Sequence, residues 1–170
     1  ERDSGPHAVI LLFTEIADAL SLPPAHNGAL VDLAYVVSYL HLESALYRVH
    51  HNRNARGGMA PESVPANLCY ALSSSKKMSE AQKKYTVSST TTSAAYLLLD
   101  PTDTLLQSIQ TTISENNLAM EVADPLFVTS LLSPEKESEL ATVFKLSPHE
   151  LKVGTLEDAI VMKIAVKESV

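Results

Sequence analysis

The chain of 170 residues holds one cysteine, no tryptophan, three phenylalanines and five glycines. Each scarcity removes a class of architecture. With Cys69 alone, no intramolecular disulfide can form, so a disulfide-stapled scaffold is excluded. None of Asn27, Asn52, Asn54, Asn67, Asn116 and Asn117 is followed two positions later by a hydroxyl residue, so no glycosylation sequon is present. Both facts favour a reducing, intracellular compartment. Glycines stand only at positions 5, 28, 57, 58 and 154, which rules out both the dinucleotide-binding glycine fingerprint and the phosphate loop. The same scarcity argues against a turn-rich sandwich or barrel, which uses glycine repeatedly. Long apolar runs are missing too. Ala8 to Phe13 is too short to cross a bilayer, and Ala29 to Leu42 is interrupted by Asp32, Ser38 and His41, where about 20 clean residues are needed. The chain opens on Glu1 rather than Met, as a processed form or a fragment does, so a targeting peptide is not expected to be legible in it.

What is present is an aliphatic chain, 45% apolar and only 5% aromatic, whose core must be built from Leu, Val, Ile and Ala. A chain of this length buries roughly 70% of its extended surface and fits one domain over 1–170, with a subdivision near 86–93 as the alternative. The spacing predicts an all-α fold, a compact bundle of six to eight helices around a long central helix near 28–51. Val9, Ile10, Phe13, Ile16 and Leu20 recur at helical intervals before Pro23-Pro24. Leu30, Leu33, Val37, Leu40 and Ser44 trace one seam of the central helix, and Leu33, Val37 and Leu40 are expected in the core. Asn52 to Gly58 reads as a loop, a helix resumes near Pro65, and Thr86 to Ser93, with seven hydroxyl residues in eight, suits a linker, an extended edge or a capping stretch. Asp100-Pro101, Asp124-Pro125, Ser133-Pro134 and Ser147-Pro148 each place a capping side chain before a proline suited to a first helical turn. Ser147 and Glu150 fit a capping box, Gly154 a C′ residue, and Thr155 to Asp158 a last helix start. The β-branched run Ile160 to Val166 also suits a strand.

No catalytic, cofactor or metal site is expected. Helical metal sites need ligands three or four apart, whereas His41 and His50 are nine apart and His50 and His51 are adjacent. Cys69 sits between Leu68 and Tyr70, the setting of a small buried hydrophobe rather than a nucleophile. Ser133 to Lys136 has the Ser-x-x-Lys spacing, but its proline marks a helix cap. The feature with physical content is the charge distribution. Residues 1–43 carry one basic and six acidic side chains, 44–85 carry seven and two, and 86–170 carry five and twelve. Such blocks steer partners by sign. They point to a basic patch of Arg48, His50, His51, Arg53, Arg56, Lys76, Lys77, Lys83 and Lys84 as the candidate binding surface. The function expected is that of a non-enzymatic structural or interaction subunit, acidic overall, that binds another protein or assembles with itself into a homo-oligomer. The alternative is a helical nucleic-acid- or phosphate-binding module, nucleoprotein- or capsid-like, using 48–84. The net charge of −7 weighs against it, because nucleic acid repels such a molecule.

Overall fold

A computed structural model describes residues 8–13, 28–55, 64–115, 121–122 and 126–167. The all-α expectation is overturned: the chain is mostly helical, but a mixed-order antiparallel sheet lies at its centre. Strands β1 (Ala8–Phe13) and β2 (Gly28–Asp32) flank β3 (Ala94–Leu99), and a two-residue β4 (Glu121–Val122) extends the far edge beyond β1. Both β1 and β2 run antiparallel to β3, with Ala8 opposite Leu99 and Gly28 opposite Leu98.

Residues 8–13 are thus a strand and not the start of a helix, while 14–20 lie outside the described residues. The helix expected near 28–51 is divided. Gly28–Asp32 is strand, Leu33–Tyr35 a single 3₁₀ turn, and the long helix α1 runs only over Tyr39–Ala55. Asp32 makes the break, since its Oδ1 accepts from the Ala34 amide at 2.9 Å and its Oδ2 accepts from Thr91 Oγ1 at 2.9 Å. Thr91 belongs to the hydroxyl-rich stretch, which folds into a turn tied by its own side chains, such as Thr91 Oγ1 accepting from the Ser88 amide at 2.8 Å.

Side-chain alternation along the strands creates two faces. Ile10, Leu12, Ala29, Val31, Ala95, Leu97 and Leu99 face a layer formed by α1, α2 (Val64–Leu72) and α3 (Met78–Tyr85). Val9, Leu11, Phe13, Leu30, Ala94, Tyr96 and Leu98 face α4 (Asp103–Glu115), which contributes Leu105, Leu106 and Ile109. Helices α5 (Leu126–Ser130), α6 (Pro134–Val143), α7 (Pro148–Val153) and α8 (Leu156–Lys167) follow. A third cluster joins Leu140, Phe144, Ile160 and Ile164 to Val37.

The helix starts behave largely as their chemistry requires. Ser133 Oγ accepts from the Lys136 amide, and Ser147 and Glu150 form a reciprocal capping box. Thr155 and Asp158 likewise bond to each other's amides. At α4 the cap moves two residues on, to Thr102 Oγ1, because Asp100 has a left-handed φ of 46° and ends β3 instead. Asp124-Pro125 lies outside the described residues. Gly154 is extended, with φ at −165°, and the left-handed stop is Lys145 at the end of α6, with φ at 54°. Ile160 to Val166 is helical.

His41 joins the central layer to the C-terminal helices. Its Nδ1 accepts from the Val37 amide at 3.3 Å, so the proton sits on Nε2, which donates to the Leu72 carbonyl at 2.9 Å. Its ring lies edge-on to Tyr85 and Phe144, at centroid distances of 6.4 and 5.7 Å. Burial without a carboxylate partner pushes its pKa down to about 4, against a small opposing effect of the Leu72 carbonyl.

Leu33 is 1% exposed and Val37 2%, as the seam predicts, but Leu40 is 43% exposed. Leu33→Ala is therefore expected to cost about 2–5 kcal/mol and Leu40→Ala no more than about 0.5 kcal/mol in urea unfolding. Equal costs would contradict this placement. His41 makes a second expectation. The unfolded chain takes up the imidazole proton near pH 6.5 and the folded chain only near 4, so acid favours unfolding. The stabilisation is complete above 6.5 and lost on acidification toward 4, by about 3 kcal/mol. His41→Asn should flatten that slope in unfolding curves taken between pH 4 and 7, and an unchanged slope would assign it to other groups.

Candidate docking surfaces

Of the expected basic patch, Lys76, Lys77 and Lys84 line one cleft and His50 lines a different groove. Arg48, His50 and His51 ride on the second half of α1; the Arg53 side chain and the whole of Arg56 lie outside the described residues. His50 Nδ1 lies 3.8 Å from the Asp100 carboxylate. Lys76 and Lys77 stand in the turn between α2 and α3, and Lys83 and Lys84 in the last turn of α3, where the helix dipole favours cations.

That turn is built by serines. Ser73 Oγ accepts from the Ser75 amide at 2.9 Å, and Ser75 Oγ accepts from the Lys77 amide at 3.1 Å while donating to Glu80 Oε1 at 2.7 Å. It forms one wall of a cleft of about 710 Å³, lined also by Lys84. The Lys84 ammonium sits 5.0 Å above the Tyr35 ring, a cation–π contact. Val143, Phe144, Lys145 and Lys163 supply the opposite wall. Lys163 lies 3.8 Å from Glu150 and donates to the Lys145 carbonyl at 3.4 Å. Three expected lysines thus line the cleft, Lys83 does not, and sequence reasoning missed Lys145 and Lys163 because neither belongs to the basic block.

A second groove, about 750 Å³, runs between β1 and α1. Ala8, Ile10 and Leu46 line it with Tyr39, Leu40, Glu43, Ser44, Tyr47 and His50. Tyr47 is 74% exposed. Leu40, Ser44 and Tyr47, at spacings of four and three, form one row along the helix. Here the interval that pointed to the core leaves Leu40 and Tyr47 exposed.

The nucleophile candidates keep structural roles. Cys69 is buried with Sγ 3.9 Å from Thr86 Oγ1, and burial raises its thiol pKa. Lys136 Nζ donates to the Leu33 carbonyl at 3.0 Å, tying α6 to the 3₁₀ turn, and burial lowers its pKa. No group of three or more potential metal ligands occurs among the described residues. Nor is any helix there long and apolar enough to cross a membrane.

What this geometry offers is surfaces for partners, and comparison with known proteins agrees. The family model for kinase binding protein CGI-121 matches residues 14–168. The chain belongs to the CGI-121 family. A zebrafish (Danio rerio) protein, the EKC/KEOPS complex subunit TPRKB, is 25% identical over 164 residues, covering 93% of this chain and 89% of the relative. CGI-121 is a family of binding proteins, in keeping with the interaction role read from the sequence.

The buried thiol gives a direct check on this site. Alkylation of Cys69 in the folded chain should be more than about tenfold slower than in denaturant, since the reactive thiolate is disfavoured and screened. Equal rates would place Cys69 at the surface.

Proposed function

We propose that this chain is a non-catalytic, kinase-binding subunit of an EKC/KEOPS-type complex. The observation that carries the reading is the match of the CGI-121 model to almost the whole chain, supported by a relative named as a subunit of that complex. The kinase docks in the groove between β1 and α1. Leu40 and Tyr47 are exposed apolar anchors beside a concave floor containing Ile10 and Leu46, the arrangement from which binding hot spots are made. The nucleic-acid or phosphate-binding alternative finds no support in the family.

The chain, tagged and recovered from its own source, is expected to retain a protein kinase that co-elutes with it on gel filtration. Recovery without any kinase overturns the reading. With that kinase in hand, the double variant Leu40→Asp, Tyr47→Ala should bind at least tenfold more weakly and melt at an unchanged temperature, both positions being exposed. Undiminished binding would move the kinase to another face.

A further inference from the structure

We infer that the lysine-lined cleft between the Ser73–Lys77 turn and the C-terminal helices receives an acidic segment of a protein partner. The inference is independent of where, or whether, a kinase binds.

The cleft gathers charge that the sequence holds apart. Lys76, Lys77 and Lys84 come from the basic middle of the chain, while Lys145 and Lys163 come from its strongly acidic last half. Five lysines therefore line one concavity, and among the described residues Glu80 is the only carboxylate in its lining. Neutralisation within the fold is partial. Glu80 is engaged by Ser75 at 2.7 Å and by Lys77 at 3.9 Å, and Glu150 lies 3.8 Å from Lys163. Among the described residues Lys76, Lys84 and Lys145 enter no ion pair. Exposed pairs of this kind add little to stability, so folding does not account for the convergence. A molecule of net charge −7 that concentrates positive charge in one hollow presents a local potential opposite to its overall field.

The lining selects among anions. Single strands of nucleic acid need exposed aromatic faces on which bases stack, and the one ring among the described lining residues, Phe144, is buried. Among the described residues the cations of the lining are all lysines, without the planar guanidinium forks that match phosphate. The rest of the chain, acidic at both ends, repels a polyanion at long range but tolerates a short stretch of Glu and Asp that enters the cleft. Val143 offers an apolar contact for a side chain within such a stretch.

The test uses the purified full chain and a fluorescein-labelled eight-residue Glu/Asp peptide, with its Gln/Asn counterpart as control. The acidic peptide should bind with an affinity that falls as salt rises, and the neutral one should not. Charge reversal on both walls, Lys76→Glu with Lys145→Glu, should weaken binding at least tenfold. Lys83→Glu, one charge reversal outside the cleft, should change it less than twofold. If the reversal variant is unfolded by circular dichroism, Lys76→Gln with Lys145→Gln replaces it, and a loss of at least threefold is then required. Absence of peptide binding, or a Lys83→Glu effect as large per charge as that of the cleft variant, overturns the proposal. So does tighter binding of an RNA oligonucleotide displaced by the same cleft variants, which would make the occupant a nucleic acid. The Leu40→Asp, Tyr47→Ala variant should bind the peptide normally, whatever its effect on kinase binding.

Discussion

Strand β3 is buried on both faces, and that constraint organises the molecule. Every one of its residues from Ala94 to Leu99 is shielded from water. Its amides and carbonyls must therefore find partners in neighbouring strands, because a buried unpaired peptide group costs as much as a lost hydrogen bond. β1 supplies one edge, opposite all of Ala94 to Leu99, and β2 the other, opposite Ala94 to Leu98. A strand covered on both sides also needs two layers above and below it. The odd and even residues accordingly meet different helices, α1 to α3 on one face and α4 on the other.

The C-terminal helices have their own apolar cluster, and His41 is the polar joint between it and the central layer. Both ring nitrogens are used, one by the Val37 amide and one by the Leu72 carbonyl, and this is possible only for the neutral ring. A second proton would point an N–H at another N–H. Tyr85 completes the joint, since its hydroxyl donates to the Tyr35 carbonyl at 3.0 Å while its ring flanks both His41 and Tyr35. A phenylalanine in place of His41 would leave the Val37 amide and the Leu72 carbonyl without these partners in a dry site, which is the costly arrangement for polar groups.

Helix starts were legible because caps are local chemistry: Ser133 and Ser147 each bond the amide three residues on, wherever the helix later packs. The sheet was not, for three physical reasons. β3 reads Ala-Ala-Tyr-Leu-Leu-Leu, mostly good helix formers, and only tertiary pairing makes it a strand. A strand buried on both faces loses the apolar–polar alternation that would betray it, and β1 likewise reads as a continuous apolar run. Scarce glycine misled as well. β1 and β2 are separated by β3, and helices α1 to α3 lie between β2 and β3 in the chain, so none of these pairings needs a tight hairpin. The binding surfaces show the same split. Lys76, Lys77 and Lys84 could be found from a run of charge, whereas Lys145 and Lys163 join them only because the end of α6 and helix α8 fold back against the Ser73–Lys77 turn.

On the reading proposed above, the two concave surfaces differ in what they control. Contacts made by Leu40 and Tyr47 exclude water and are insensitive to salt, so they act chiefly on how slowly a partner leaves. The lysine cleft acts at longer range and through charge, so it governs how fast and in which orientation a partner arrives, and it weakens as ionic strength rises. A subunit that holds one protein by an apolar groove and orients another by a charged cleft needs no catalytic group of its own. Its contribution lies in the fixed geometry between the surfaces. α1 carries both Leu40 and Tyr47 of the groove and the buried His41, so the helix that presents the groove is also held by the joint to the C-terminal segment that carries Lys145 and Lys163.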